Sequence, residues 1–561
     1  MRRSMAEPAR TLLDGSDVRA PTAAGEPVLR SFGRFVAGLG PGDVPDLALR
    51  AARLQVLDMV AAVHAAEHSG DTASIHAGLG ALCERGGRAT VLATGARHAP
   101  HDAAFANAAC SMAQDYDDVV WMGHTCHSAV FAALAVAEHE GRDGAELLRA
   151  VVAANEVGGR LGATCLLGPL NGQMWTFVHL VSAAAATASL LRLDAEQTTH
   201  ALAIALAQPN FPLQPGFLVP TSKLLAAAIP TATGIQAAYL ARAGMTGDPG
   251  IVEDRRGFWA RFSYLPLRPL AGDLGRFWTM QTLAIKTFPG CHYFQTACSA
   301  LRRILERTGP VAVDRIRSVR IETNKLALEA TRFAGEHAGH VGRVEPVNVS
   351  FDLGLTVGVM LLAGRFTGAE ATRAWLDGHA SELLELRRRI HVQHSPELTL
   401  KTIASLTQLG AARRALAAVR PHEALGLLRR YRTEYRSELV TPAEVFAWIR
   451  ALSKTSRRRG GRGRAGENGA APGALPMYFP NRVTVELTDG TVESAREDLP
   501  EGSLGCADVE ARLYDKVLGE CSDRLGADGA ARVFDVGMQL GDPDDGRCTI
   551  PSDLVLAAAR A

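Results

Sequence analysis

The sequence predicts a mainly α protein with a smaller α/β part, and three observations carry that prediction. Apolar residues recur every three to four positions through most of the chain up to residue 243, the mark of helices with one buried face. Alanine is dense inside those stretches, as at Ala183–Ala186 and Ala226–Ala228, which suits helix axes that approach closely. Beyond Lys286 the pattern turns mixed, with period-two alternation between helical stretches. At 561 residues and 47% hydrophobic content the chain exceeds one compact core.

Residues 1–27 mix Arg, Asp, Gly, Pro and Ala without period and read as a tail that buries too little apolar surface to order itself. At Asp43 the pattern changes. Asp43 is placed to cap a helix, Pro45 suits its first turn, and Leu47, Leu54, Leu57, Val60 and Val63 share a face. Arg88 to Ala96, with Val91, Leu92 and Ala93 between glycines, reads as a short hairpin. Helical spacing returns at about 101–114, 128–140, 144–160, 176–192, 196–206 and 222–243. After Lys286 come a helix at about 293–307, an alternating strand through Ile316, Val319 and Ile321, and a helix from Phe351 to Leu362. A hairpin follows from Val483 to Gly490. Between about 398 and 477 lies a helical, basic insertion. It ends in the Arg/Gly run 457–464 and an Ala/Gly/Pro stretch with linker composition. That run lacks the interleaved aromatics that stack on RNA bases. From Leu504 onward the patterning is helical again.

Composition closes off several function classes. Sixty basic residues against 59 acidic ones leave a net charge of +1, too little for a global field that draws in nucleic acid or a membrane. The nine cysteines form no Cys-x-x-Cys pair and are odd in number, so neither a disulfide framework nor a zinc ribbon is expected. Arg2 and Arg3 are followed by no apolar segment, and apolar stretches such as Leu353 to Ala363 fall short of the ~18 residues of a membrane span. A cytoplasmic, untargeted protein is expected. No Gly-x-x-x-x-Gly-Lys, strand-borne Gly-x-Gly-x-x-Gly or Gly-x-Ser-x-Gly is present, which argues against phosphate cradling, dinucleotide binding and a serine-hydrolase elbow.

The densest polar cluster is Gln114, Asp115, Tyr116, Asp117 and Asp118, followed by Trp121, His124, Cys126 and His127, placed where one alanine-rich helix ends and another begins. Carboxylates beside imidazoles can divide acid and base roles, each tuned by the other's charge. The plain alternative is a pair of helix caps with solvated charges, which such spacing alone favours. Asp, His and Cys are also metal-ligand types, but no pair has zinc-finger or His-Glu-x-x-His spacing. Lys223 begins an otherwise apolar helix, where a lysine snorkels or binds an anion. Lys286, Cys291 and His292 place an ammonium, a thiol and an imidazole on a turn where the two textures meet.

Taken in order, these segments resemble the MmgE/PrpD family, which includes 2-methylcitrate dehydratase, cis-aconitate decarboxylase and iminodisuccinate epimerase. The resemblance rests on Asp115 to Asp118, His124 to Cys126, Leu134 to Glu138, Asn155 to Arg160, Leu190 to Asp194, Lys223, Lys286 to Cys291, Asn348 to Leu353, and Asn481 to Val485 with Asp489 and Gly490. It implies a large all-α domain, 28–284 with 500–561, and a smaller α/β lid, 285–499, containing the insertion. It also implies a homodimer and a chemistry without metal or organic cofactor: abstraction of a proton, or loss of CO2, next to a carboxylate. The stabilised charge would be an enediolate or carbanion. On this reading Lys223 holds a substrate carboxylate, His124 is acid or base, Asp115 orients His124 or shares its proton, and His292 closes the site from the lid. Asp118, His127, Gln173, Lys286, Cys291 and Tyr293 are the candidate substrate contacts.

The sequence also departs from that family. A histidine usual in a Gly-x-His-Pro-Thr segment falls near Gln173, and Leu-His-Ala-Gly-Arg after the lysine is replaced by Leu225, Ala226, Ala227, Ala228 and Ile229. Val119 stands for a threonine and Thr125 for the proline of His-Pro-Ser. Losing donors and positive charge points to a substrate with fewer carboxylates and more apolar bulk than methylcitrate, in specialised metabolism. A lyase, dehydratase or decarboxylase, is the leading expectation. An isomerase or epimerase using the same proton abstraction, and a non-catalytic ligand-binding relative, are the alternatives.

Overall fold

A computed structural model describes residues 25–83, 86–121, 123–169, 173–211, 213, 216–217, 221–338, 344–406, 414–415, 418–435 and 473–542. The mainly α class holds, with a small mixed sheet in the second half.

The helical part begins with α1 (Val28–Gly38) and α2 (Asp46–Glu67). From Leu54 to Ala66 every residue of α2 is buried, because α2 runs through the centre with neighbours on all sides. Asp43 does not cap it: its carboxylate accepts instead from the Gly40 N–H, and Pro45 starts the helix with no side-chain cap. Next come α3 (Ala73–Leu82) and the expected hairpin, β1 (Ala89–Thr90) with β2 (Arg97–His98). Six helices form the body: α4 (Pro100–Ser111), α5 (Cys126–Glu140), α6 (Gly144–Thr164), α7 (Gln173–Leu190), α8 (Ala195–Ala207) and α9 (Leu225–Arg242). Capping boxes at Asp143/Glu146 and Asp194/Gln197 start α6 and α8. Small residues set the spacing. A Cβ on Gly158 would lie 1.9 Å from Ser182 Oγ, and one on Gly234 would lie 2.4 Å from the Leu180 carbonyl, so α6 and α9 approach α7 closely.

The apolar run Thr221–Arg242 spans 22 residues and does reach the length of a membrane span, against the expectation of uniformly short stretches. It is 61% buried inside the fold, packed on α4, α7 and α8, as a core helix would be.

After α10 (Phe258–Phe262), the chain passes to α11 (Gln295–Thr308), α12 (Lys325–Ala338), α13 (Pro346–Phe351), α14 (Leu353–Ala363), α15 (Arg373–Arg389), α16 (Pro396–Leu406) and α17 (Pro421–Tyr435). Around them lies a sheet of β3 (Ile316–Thr323), β4 (Ile390–His394), β5 (Asn481–Leu487) and β6 (Val492–Glu497), in the order β4-β3-β5-β6. β4 is parallel to β3 and the other pairs are antiparallel, with Ile321 opposite both Val392 and Val483. Its core joins Leu301, Ile321, Val357, Leu386 and Val483. The described part of the expected basic insertion is helical in α16 and α17, while residues 418–420 and 473–477 are turn or coil. Tyr431 Oη of α17 donates to the Gly168 carbonyl at 2.8 Å and ties it to the helical body. The Arg/Gly run 457–464 and most of the N-terminal tail lie outside the described residues. The chain returns to the body through α18 (Val509–Met538), which bends at Gly526 (φ +68°) and packs along α2.

Candidate active site

The loop between α4 and α5 is buried from Gln114 to Trp121. Two non-glycine residues in it, Asp115 (φ +50°) and Trp121 (φ +46°), adopt the left-handed conformation, a strained choice held by the surroundings. The segment leading into α11 provides the hold. Val119 N–H donates to the Ala284 carbonyl at 2.9 Å, Trp121 N–H to Thr282 Oγ1 at 2.8 Å, and Gly290 N–H to the carbonyls of Gln114 and Asp115.

Asp117 is the hub. Its Oδ1 accepts from Lys286 Nζ at 3.0 Å, and its Oδ2 meets His124 Nδ1 at 2.5 Å and His127 Nε2 at 3.3 Å. Burial opposes ionisation of Asp117, but the Lys286 charge, followed by the interactions with the His124 and His127 rings, outweighs it and holds the carboxyl well below the usual range. Burial likewise opposes the Lys286 ammonium, yet Asp117 and Asp115 raise it. Burial lowers His127 and outweighs the pull of Asp117, so its ring is neutral. With Asp117 ionised, the fitting tautomer directs His127 Nε2–H at the carboxylate and leaves Nδ1 to accept from Ser111 Oγ at 2.7 Å. His124 donates Nδ1–H to the same carboxylate, which makes Nε2 the basic nitrogen. Its side chain is 23% exposed, against 1% for His127 and 0% for Lys286, so His124 is the member that solvent or a ligand reaches.

Lys223 lies on the adjoining side. Its Nζ pairs with the Asp115 carboxylate, donates to the Met112 carbonyl at 3.0 Å, and stands 5.9 Å and 5.4 Å from the ring centres of Phe217 and Phe351. Residues 30–266 of the chain, which supply this loop, its two flanking helices and Lys223, match the MmgE/PrpD N-terminal domain. Through that domain the chain is similar to the MmgE/PrpD family. That family includes dehydratases among its lyases. Comparison with curated proteins finds no match. Lys286 and His292 come from beyond the matched MmgE/PrpD region, so the cluster is completed by the second half of the chain.

Within this site the pairing differs from expectation in two respects. Asp115 does not orient His124. Its carboxylate faces Lys223 and its carbonyl accepts from Lys286 Nζ at 2.6 Å, while Asp117, two residues on, takes His124. Asp118 does not face a ligand site either: it is wholly buried and accepts from Gln55 Nε2 of α2 at 2.7 Å. Burial, then the neighbouring Asp58 charge, pushes Asp118 well above the usual range, so it is a neutral acid.

The other candidates take ordinary core positions close by. His292 is buried, its ring edge lies 5.0 Å from Phe479, and its Nδ1 meets no partner among the described residues. Burial, followed by the charges of Lys286 and His124, lowers it to about 3. Cys291 donates its N–H to the Ser350 carbonyl at 2.8 Å, and burial pushes its thiol up to about 12. Tyr293 packs on Phe479 with ring centres 5.2 Å apart. His179 is a core histidine whose Nδ1 meets Ser128 Oγ at 3.0 Å and whose ring edge packs on His127. Gln173 is the first residue of α7, and its side chain lies outside the described residues.

Asp117 was in the polar cluster but had been given no role, and Lys516 was missed altogether. From α18, Lys516 Nζ donates to Asp58 Oδ1 at 2.7 Å, to the Tyr116 carbonyl at 2.5 Å and to the Lys286 carbonyl at 3.2 Å, and stands 3.8 Å from the Tyr116 ring centre. Burial drives Asp58 up to about 6 despite Lys516. The signal was there: Lys516 falls on the apolar face of α18 with Leu513 and Val517, where a lone lysine needs a partner. Asp117, Cys126 and His127 bring ligand-type atoms within 4.8 Å of one another. Lys286 already supplies the cation there, so this cluster fits a metal ion poorly.

Proposed function

We propose that this chain is a lyase that removes a proton next to a carboxylate and eliminates water, with His124 as the base that takes that proton. The observation that supports it is the Asp117–His124 pair: an ionised, buried carboxylate, itself fixed by Lys286, that takes the His124 Nδ1–H, leaves Nε2 with the free lone pair and stabilises the imidazolium once formed. His124 Nε2 takes the proton from the carbon beside the substrate carboxylate, and the C–H electron pair moves into that carboxylate as an enediolate. The pair then returns to form the C=C bond as the C–O bond at the next carbon breaks. The leaving hydroxide takes the proton back from the imidazolium and departs as water. Decarboxylation would use the same group in reverse order, the C–C bond breaking first and the imidazolium protonating the carbanion. Lys223, Lys286 and Lys516 stand beside this region, each paired with an aspartate: Asp115, Asp117 and Asp58.

The neighbourhood of Lys223 supports a substrate with few carboxylates and some apolar bulk. After it come Leu225 to Ile229, without the histidine and arginine of the family pattern, and the Phe217 and Phe351 rings lie beside its ammonium. The homodimer implied by the family belongs to the same proposal, and sedimentation velocity tests it. For the reaction, a panel of 2- and 3-hydroxy acids with one or two carboxylates is incubated with the protein in D2O and followed by NMR. Loss of water from one of them, abolished by His124→Asn, is the expected result. Exchange at a stereocentre without loss of water or CO2 would make it an isomerase instead. Efficient turnover of methylcitrate would overturn the reading of the substrate.

A further inference from the structure

A second cluster of reactive side chains lies outside the proposed site, at the far end of α2. Glu67 closes α2, His76 sits on α3 and Cys110 is the next-to-last residue of α4. Their nearest atoms are 3.2 Å apart for His76 Nε2 and Glu67 Oε1, and 3.8 Å apart for Cys110 Sγ and His76 Nε2, with all three ligand-type atoms within 4.8 Å of one another.

Two of those spacings are close to the edges of a metal coordination tetrahedron. Zinc bonds of ~2.3 Å to sulfur and ~2.0–2.1 Å to nitrogen and oxygen, at tetrahedral angles, separate S and N by ~3.6 Å and N and O by ~3.3 Å. Both observed distances fall within ~0.2 Å of these values. The charges also suit a dication. A thiolate and a carboxylate offset two positive charges, the imidazole stays neutral, and among the described residues no Lys or Arg is paired with any of the three. Asp117, by contrast, already carries Lys286. Thr72 Oγ1 donates to Glu67 Oε1 at 3.1 Å, an outer-sphere bond that aims the carboxylate. Access comes from the His76 and Glu67 side, where the side chains are 18% and 28% exposed, while Cys110 is buried.

We propose that Glu67, His76 and Cys110 form a binding site for a zinc-class divalent ion, completed by water from the solvent side. The mixed thiolate, imidazole and carboxylate donor set selects zinc or cobalt over calcium or magnesium. On binding, the Cys110 S–H bond breaks, its proton goes to solvent, and a sulfur–metal bond forms with no change of oxidation state. The ion clamps α2, α3 and α4 together. The residue after Cys110 is Ser111, whose hydroxyl bonds His127, so the clamp braces the helix end that presents the candidate site.

The full chain, purified and stripped with a chelator, is titrated with zinc by calorimetry and with cobalt by absorption. The expected result is one ion per chain and a thiolate-to-cobalt charge-transfer band. Both are lost in Cys110→Ser and in His76→Ala, and both survive in Cys126→Ser. Thr72→Val is expected to weaken binding by ~10-fold without changing the stoichiometry. Binding tightens as pH rises, because the thiol must lose its proton. His76 is partly exposed, so His76→Ala should fold, and circular dichroism of each variant checks this. A missing cobalt–thiolate band, or undiminished binding in a folded His76→Ala, overturns the proposal. Loss of binding in Cys126→Ser does so too, by moving the ion to the Asp117 cluster.

Discussion

Asp117→Asn tests the electrostatic core of the site most directly. The substitution keeps the size of the side chain and removes the charge shared by Lys286, His124 and His127. Lys286 is 0% exposed and Asp117 carries its one side-chain ion pair among the described residues, so the variant leaves a buried ammonium with carbonyl partners alone. Removing one partner of a buried pair costs ~3–5 kcal/mol. For 561 residues that corresponds to a melting temperature lower by about 3–4 °C, seen by calorimetry. The pH dependence has a definite sign. The Asp117 carboxyl is held well below its unfolded value, so its stabilisation is fully present above pH ~4 and is lost as pH falls toward its folded value. Wild type should therefore lose stability in that acid range and the variant should lose less. Turnover should fall by ~10²–10⁴, because His124 loses both its fixed tautomer and the partner of its imidazolium. An Asp117→Asn protein with unchanged melting temperature and unchanged kcat/KM would refute this account of the site.

Three further outcomes follow from the same geometry. Asp118→Asn should be tolerated to within ~1 kcal/mol at pH 7 with kcat/KM nearly unchanged, since Asp118 is a neutral acid bonded to Gln55, whereas Asp118→Leu strands the Gln55 amide and costs ~1–3 kcal/mol by urea unfolding. His64 and His292 are lowered by burial to about 4 and about 3, so the unfolded chain takes up protons that the folded one refuses as pH falls below ~6.5. Each therefore costs ~2 kcal/mol between pH 7 and pH 5, and a double His64→Phe, His292→Phe protein should show a flatter urea midpoint across that range. Arg160→Lys should cost ~3 kcal/mol and speed hydrogen exchange at residues 272–282, because the buried Arg160 guanidinium bonds Glu156 and the carbonyls of Gly272 and Phe277, and a lysine cannot span them.

Helices were legible where apolar spacing was regular and long, as in α2 and α4 to α9. β4 was not: it offers only Ile390 and Val392 as apolar positions, and its ladder with β3 joins residues some 70 apart in the chain. α15 was also missed, since Arg373–Arg389 buries only Leu376, Leu383 and Leu386 among its polar residues. For the site, density was legible and pairing was not. Asp115, His124, Lys223 and Lys286 were singled out from the sequence, but which carboxylate meets which cation depends on backbone angles such as the +50° φ of Asp115 and on packing from 169 residues away. Lys516 lies 400 residues from its Tyr116 carbonyl, a distance no local pattern spans.

The pairing has a consequence for substrate charge. Asp115, Asp117 and Asp58 are matched one to one by Lys223, Lys286 and Lys516, and Asp118 is neutral, so the cluster with a neutral His124 carries no net charge. One positive charge appears when His124 takes a proton, at the moment when the substrate's electron pair builds negative charge on the enediolate. That arrangement favours the transition state over the bound ground state. It offers no further uncompensated cation for a second or third carboxylate, in keeping with the loss of the histidine and arginine after Lys223. Restoring charge there, with Ala226→His and Ile229→Arg together, should shift kcat/KM from monocarboxylates toward dicarboxylates by ~10-fold or more, the yield of one good charge-assisted contact. An unchanged preference would mean that substrate carboxylates are not read beside Lys223.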